Sequence, residues 1–357
     1  MTYYTTLDSS VKRYEEGIRK FAFHAGSREE YEDWKRALRK RLTEITGMNR
    51  CQRADEELNF LEEEMDEGYL RRSYTIQTEP GVRMPFWLYL PETARSAGQK
   101  KDAPKQNGNS LDVNLPVMLI PHGHGGGRET VRAGQWNFVT GLLNRGFAVL
   151  CPDARGSGER REKWLWGDEQ EKKRMNVHRE LTQIALGFGQ CVLGLQVWDL
   201  MRLLDALEFL PGLCTDGIWC AGMSGGGMQT LWLAALDDRV AGVFLSGYFY
   251  GMLESLVKLP MNCACNFVPH MWETADMGDL AALIAPRPLF IESGELDPLN
   301  GAPGLNNVRP QVEIAAGAYR LFGKEENLVH SVHPKGHEWV GTGMLEFMDR
   351  MRGSRKW

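Results

Sequence analysis

Ser224 has a glycine two positions before it and another two positions after it, in the run 222–226, Gly-Met-Ser-Gly-Gly. The apolar stretch 217–221 before this run predicts a buried strand, and the stretch from Met228 onward predicts a helix. A serine at this spacing, on a turn from strand to helix, is typical of a nucleophile elbow. The backbone passes so close on both sides of such a turn that side chains would collide there. The pattern therefore predicts an exposed serine hydroxyl that acts as a nucleophile.

A serine hydroxyl needs a base to remove its proton, and the base needs a third group to orient it. Asp297 follows a predicted strand, and His337 precedes the predicted final helix, so the two come after Ser224 in the order acid, then histidine. We expect Ser224 as nucleophile, His337 as base and Asp297 as the acid that orients it. Glu292 and Glu295 remain alternatives for the acid, although Glu292 falls on the predicted strand.

The tetrahedral intermediate of such a reaction needs two backbone N–H donors. One is expected from Gly225, the residue after the nucleophile, and the other from the glycine-rich loop 122–127, where we select His124. Two histidines in this loop could suggest a metal site, but without nearby carboxylates that signal is weak. The pair Cys263 and Cys265 also lacks a second cysteine pair, so packing in a loop near the site is expected and no metal site is predicted.

Length and composition are those of an ordinary globular protein. The chain has 357 residues, 43% of them apolar, and a formal net charge of −5, which gives no footprint for nucleic acid or an anionic membrane. No secretory signal and no apolar run of membrane-spanning length are visible. Seven cysteines, an odd number scattered through apparent core positions, favour a reducing, cytoplasmic setting.

The pattern of elements predicts two regions. Residues 1–68 are expected to form an N-terminal helical segment, and residues 69–357 a catalytic domain. Strands and helices alternate in the second region, which predicts an α/β fold with a mostly parallel central sheet and helices on both faces. The polar stretch 94–114 is expected to be a surface loop.

The motifs together resemble the acetyl xylan esterase and dienelactone hydrolase-like branch of the α/β-hydrolases. The resemblance covers residue 69 to the C-terminus, and the runs that carry it are 122–126, 152–159, 222–227, 285–289 leading to Asp297, and 336–337. It implies an α/β-hydrolase fold and an ester hydrolase with a Ser-Asp-His triad and no cofactor, acting on acetylated sugars or similar small esters. Asp153 and Arg155 match a motif that shapes the edge of the sheet, which we interpret as structural.

Substrate contacts are expected from insertions around the site. The stretch 160–189 is a candidate lid, in which Trp164 and Trp166 could stack on a sugar ring or simply anchor the loop. His122 and Cys265 are further candidates for the pocket wall. The expected partner is a small-molecule or oligosaccharide ester, and the sequence leaves formation of a homo-oligomer open.

The leading hypothesis is a serine carboxylesterase that deacetylates carbohydrates through an acyl-serine intermediate. A peptidase of the prolyl-oligopeptidase type would share the elbow and the order of the triad, but only about seventy residues precede the first predicted strands, too few for a propeller. A non-catalytic relative that retains the fold is the third hypothesis, which the complete triad disfavours.

Overall fold

The structure, a computed structural model, describes residues 4–92, 94, 114–162, 176–210, 212–259 and 262–353. The strands are β1 (Asn59–Asp66), β2 (Tyr69–Glu79), β3 (Val82–Leu90), β4 (Val117–Leu119), β5 (Ala148–Pro152), β6 (Ile218–Met223), β7 (Val240–Ser246), β8 (Leu289–Gly294) and β9 (Leu328–His333). The α-helices are α1 (Leu7–Glu16), α2 (Arg28–Ile45), α3 (Glu129–Leu143), α4 (His178–Gly187), α5 (Val192–Ala206), α6 (Gly225–Leu236), α7 (Met277–Ala282), α8 (Leu305–Phe322) and α9 (Met344–Gly353).

The strands form one sheet in the order β1-β2-β3-β5-β4-β6-β7-β8-β9. From β5 to β9 every neighbouring pair is parallel, whereas β1, β2 and β3 form an antiparallel meander that joins the sheet through β5. The meander turns between Glu79 and Val82. The expected α/β fold with a mostly parallel sheet is confirmed. Because the carboxyl ends of parallel strands share one edge, the loops after β4, β6, β8 and β9 converge there.

Helices cover both faces of the sheet, so the central strands are buried on both sides. Neighbouring residues alternate between the two cores: Leu119 and Cys220 belong to one, whereas Met118 and Trp219 belong to the other. This double burial explains why the central strands have continuous apolar sequences and do not alternate between apolar and polar residues. Helix α6, which carries the elbow, is buried along eleven of its residues.

The N-terminal region packs on the catalytic domain, and its boundary differs from the expected one. Strand β1 lies before residue 69 and belongs to the main sheet, so residues 1–68 are not all helical. The three consecutive glutamates at 62–64 gave no apolar pattern for this edge strand, whose residues are mostly exposed. Helix α2 is anchored by Tyr31, whose buried hydroxyl donates to the carbonyl oxygens of Ala282 and Ala285 at 2.9 and 2.8 Å.

Several expectations fall on residues outside the described ranges. Most of the polar loop 94–114 does so, and so do Trp164 and Trp166. The described end of the stretch 160–189 forms α4, on which His178, Thr182 and Ala185 are buried. Among the described helices, none is individually long and apolar enough to span a membrane. Taken together, the two helices His178–Gly187 and Val192–Phe209 are long and apolar enough for a membrane span, but they are bent by 95° relative to each other. They qualify by length and composition only.

Candidate active site

Ser224 lies on the turn between β6 and α6 with φ of 55° and ψ of −120°, a conformation that L residues rarely adopt. Its main-chain N–H donates to the carbonyl of Ser246 at 2.9 Å. The flanking glycines are sterically required: a Cβ on Gly222 would lie 2.2 Å from the carbonyl oxygen of Gly226, and one on Gly226 would lie 2.2 Å from that of Pro121. The predicted elbow geometry is therefore present, and Ser224 is half-buried.

Asp297 and His337, which are 40 residues apart in sequence, form a hydrogen-bonded pair. His337 Nδ1 lies 2.7 Å from Asp297 Oδ2. The other carboxylate oxygen of Asp297 accepts the N–H of Leu299 at 2.9 Å, and the Asp297 residue is only 4% exposed. A buried carboxylate bonded to Nδ1 holds the imidazole in one tautomer and directs Nε2 away from it. A Cβ on Gly247, one residue after the Ser246 carbonyl that holds Ser224, would lie only 3.0 Å from Cε1 of this imidazole.

The geometry distinguishes Asp297 from the two alternative acids. Glu295 is exposed and forms no hydrogen bond or ion pair with His337, two residues that the structure describes. Glu292 is buried, and its carboxylate accepts the hydroxyl of Ser246 together with the main-chain N–H groups of Val340 and Gly341. Its hydrogen bonds therefore position the segment after His337 rather than the imidazole itself.

The structure shows no hydrogen bond between the Ser224 hydroxyl and His337, two residues that are both described. Nucleophile–base hydrogen bonds are often long in unliganded enzymes and shorten in the substrate complex. The structure therefore joins two of the three predicted triad members directly. The third, Ser224, follows β6, which is separated from β8 in the sheet by β7 alone.

The loop after β4 packs directly against the elbow. A Cβ on Gly123 would lie 3.8 Å from Ser224 Cβ, and a Cβ on Gly225 would meet the ring of His124 within 3.0 Å. Gly225 is the first residue of α6, where helical N–H groups have no carbonyl partner within the helix. The carbonyl of His124 accepts the side-chain amide of Asn176 at 3.0 Å, which fixes the loop. The oxyanion-hole roles of His124 and Gly225 remain predictions.

His122 was expected in the pocket wall, and the structure places it elsewhere. It is only 1% exposed; its Nδ1–H donates to the carbonyl of Gly123 at 2.6 Å, and its Nε2 accepts the N–H of Ala154 at 3.0 Å. Burial is the largest influence on this imidazole and lowers its pKa to about 4. His122 therefore joins two loops as a neutral imidazole and does not face a substrate. The only sequence signal for this role was the apolar strand β4, which comes shortly before His122 in the chain.

The motif around Asp153 and Arg155 is structural, as interpreted from the sequence. The carboxylate of Asp153 accepts the Arg128 main-chain N–H and guanidinium, both at 2.7 Å, and the Glu159 N–H at 3.0 Å. Arg155 forms a two-pronged ion pair with buried Asp199, with both distances 2.8 Å. A cavity of about 580 Å³ lies beside Arg155, and none of the triad residues lines it.

Cys265 was also expected to line the pocket, but it is 1% exposed and belongs to a cluster that the sequence did not reveal. Four side chains meet there: His124, His178, Cys263 and Cys265. Their potential ligand atoms all lie within 4.8 Å of one another. The sequence argument against a metal site rested on the missing second cysteine pair, and the fold supplies two histidines instead. The signal for His178 was a lone histidine 54 positions after His124, too distant to connect by spacing alone.

Comparisons with known proteins place the chain in a family. Residues 117–340 match the model of the alpha/beta hydrolase family. The chain is 27% identical over 223 residues to the provisionally assigned hydrolase YtaP of Bacillus subtilis (strain 168), a match covering 58% of this chain and 70% of that protein.

Two solved structures share the fold. A provisionally assigned acetyl xylan esterase from Bacteroides fragilis NCTC 9343 aligns with a TM-score of 0.72 at 18% identity, over 93% of this chain and 83% of that one. A CE15 glucuronoyl esterase from Teredinibacter turnerae aligns with a TM-score of 0.61 at 17% identity, over 95% and 90% of the two chains. The family match covers more than half of the sequence, and the fold and elbow agree with it. The chain belongs to the alpha/beta hydrolase family.

Proposed function

We propose that this protein is a serine carboxylic-ester hydrolase that works through an acyl-serine intermediate. The observation that carries the proposal is the 2.7 Å pair of His337 with buried Asp297, beside a serine held at positive φ on a nucleophile elbow. A strained serine, an oriented imidazole and a buried carboxylate at one sheet edge constitute the machinery for acyl transfer.

The proposed reaction begins when His337 Nε2 removes the proton of Ser224 and the serine oxygen attacks the ester carbonyl. The carbonyl oxygen becomes an oxyanion, which the main-chain N–H groups of His124 and Gly225 stabilise. His337 then returns the proton to the departing alcohol, and water, activated by the same imidazole, hydrolyses the acyl-serine. Asp297 stabilises the imidazolium in both steps, so it contributes mainly to kcat.

The substrates we propose are acetylated carbohydrates or similar small esters. Support comes from the structurally similar proteins, which are described as an acetyl xylan esterase and a glucuronoyl esterase, both ester-cleaving proteins. These relatives differ in ester type, so a panel should include acetylated sugars, short acyl esters and uronic acid methyl esters. The surface around Ser224 would bind the carbohydrate part of the acetylated sugars and of the uronic acid esters.

The first experiment combines a p-nitrophenyl acetate assay with labelling by a fluorophosphonate probe. Wild-type protein should turn over the ester and become labelled on Ser224, whereas Ser224→Ala should do neither while its thermal unfolding remains cooperative. A matched control is Ser255→Ala, since Ser255 is a buried serine outside the triad. Activity near wild type in Ser224→Ala, or an unlabelled Ser224 in folded wild-type protein, would contradict the proposal.

A further inference from the structure

A side-chain cluster next to the glycine-rich loop 122–127 has the composition of a metal centre. His124 Nε2 lies 3.1 Å from Cys265 Sγ, and His178 Nδ1 lies 3.3 Å from Cys263 Sγ. The four residues come from three separate parts of the chain: the loop after β4, the first residue of α4, and the turn around Ala264–Asn266. His178 and Cys265 are buried, and His124 and Cys263 are half-buried.

We propose that His124, His178, Cys263 and Cys265 bind one zinc ion. Two thiolates and two imidazoles are a recurrent ligand set for tetrahedral zinc. Zinc–sulfur and zinc–nitrogen bonds of about 2.3 and 2.0 Å place neighbouring N and S ligand atoms about 3.5 Å apart in a tetrahedron. The observed N–S distances of 3.1 and 3.3 Å, and the 4.8 Å limit for the whole set, require only small side-chain shifts.

Charge supports a divalent ion at this position. Two thiolates and two neutral imidazoles together carry a charge of −2, which one Zn²⁺ cancels. Burial of unpaired charge is costly, so a neutral centre suits a cluster with two buried members. Binding would release the two thiol protons to solvent. Four protein ligands leave no open coordination position, so the ion would be structural rather than catalytic.

Groups around the cluster hold the ligands in place before metal binds. The second ring nitrogen of His178 lies 3.2 Å from the hydroxyl of Ser157, which is fully buried. The carbonyl of Cys263 accepts both the main-chain and side-chain N–H groups of Asn266 at 3.0 Å, which shapes the loop that carries both thiols. Such partners fix ring orientation and are characteristic of metal ligands.

The position of the cluster gives the ion a function. The ring of His124 packs on Gly225, and the main-chain N–H groups of these two residues are the oxyanion donors we propose. Bound zinc would fix the His124 side chain relative to α4 and thereby hold its main-chain N–H in place. This consequence rests on the proposed esterase function, whereas metal binding itself does not.

The test begins with elemental analysis of protein purified from zinc-supplemented medium, followed by chelation and titration with Co²⁺. We expect about one zinc per chain, and in the cobalt form thiolate charge-transfer bands with the intense visible bands of a tetrahedral ion. Cys263→Ser and His178→Gln should weaken Co²⁺ binding at least about tenfold. Cys214→Ser is the matched control, since Cys214 is a free, half-exposed thiol outside the cluster.

Protein without zinc that also gives no tetrahedral cobalt spectrum would overturn the proposal. A disulfide between Cys263 and Cys265 in protein purified without oxidant would do the same, as would unchanged Co²⁺ binding in both variants. Should a variant misfold, wild-type protein decides alone: zinc added after chelation should raise the unfolding midpoint, and an equal midpoint would count against the site. These readouts need no substrate, so they remain decisive if ester hydrolysis fails.

Discussion

The carboxylate of Glu292 accepts a hydrogen bond from the hydroxyl of Ser246 at 2.7 Å. Ser246 in turn accepts the main-chain N–H of Ser224 on its carbonyl, and Glu292 accepts the N–H of Gly341 at 2.6 Å. One buried glutamate thus connects β7, whose Ser246 holds Ser224, to the segment that follows His337. The two parts of the proposed triad are held at a fixed separation by this connection.

The first prediction separates the roles of the two buried acids. Asp297→Asn should lower kcat about 10⁴-fold with little change in stability, because the amide favours the wrong imidazole tautomer. Glu292→Gln should instead cost about 1–3 kcal/mol of unfolding free energy, because an amide N–H would face a backbone N–H. Steady-state kinetics and urea unfolding on both variants provide the measurement. A Glu292→Gln enzyme as inactive as Asp297→Asn would show that Glu292 belongs to the catalytic group.

The second prediction concerns Gly226, which faces the chain at Pro121 and His122, just after β4. Gly226→Ala should destabilise the protein by about 1–3 kcal/mol and abolish esterase activity, because the new methyl group would displace the main chain at Pro121. Gly134→Ala is the matched control: the glycine lies within α3, a Cβ there meets no atom within 4 Å, and a gain of about 0.5–1 kcal/mol is expected. Thermal unfolding of both variants tests the pair, and a fully active Gly226→Ala would contradict the close packing.

The third prediction uses the backbone strain at the nucleophile. Ser224 has φ of 55°, so replacing it with glycine removes a conformational cost that alanine retains. Ser224→Gly should therefore be more stable than Ser224→Ala by about 1 kcal/mol, although both lack the hydroxyl and are inactive. Differential scanning calorimetry compares the two directly. Equal unfolding temperatures would mean that the elbow relaxes once the serine is lost.

Much of this fold was predictable from the sequence because its signals are local. Gly222 is required by the carbonyl of Gly226, only four residues away, and doubly buried strands leave continuous apolar runs. Asp297 and His337 were found by their order along the chain. Strand β1 was not predicted because an exposed edge strand carries charges and has no apolar periodicity.

The roles that could not be predicted depend on contacts between distant segments. His122 follows a buried strand and looked like a loop residue, yet its partner Ala154 lies 32 positions away. The pairing of His178 with Cys263 spans 85 positions and has no spacing rule. Glu292 appeared as a competitor for the triad because its hydrogen bonds to residues 340 and 341 arise only when the last loop folds back.

The last prediction concerns acid stability and the ion pair of Asp199. This carboxylate is buried between Arg155 and Arg160, with Arg160 at 2.7 Å. Burial, the largest influence, would raise the pKa of Asp199, but the two guanidinium groups outweigh it and hold the pKa at about 2. In the unfolded chain the Asp199 carboxyl has the ordinary aspartate pKa of about 3.9, so the ion pair stabilises the fold fully above that pH. Its contribution, about 2–3 kcal/mol, is lost as the pH falls through about 2.

Asp199→Asn should therefore lose about 3–5 kcal/mol at pH 7, because two buried guanidinium groups keep only a neutral partner. Its deficit relative to wild type should shrink as the pH falls from 4 towards 2, where the wild-type carboxylate also becomes protonated. Asp33→Asn is the control, since the Asp33 side chain is 69% exposed and a surface pair contributes at most about 1 kcal/mol. Urea unfolding at pH 7, 4 and 3 gives the comparison. A deficit that is absent at pH 7, or that grows in acid, would contradict a buried, ionised Asp199.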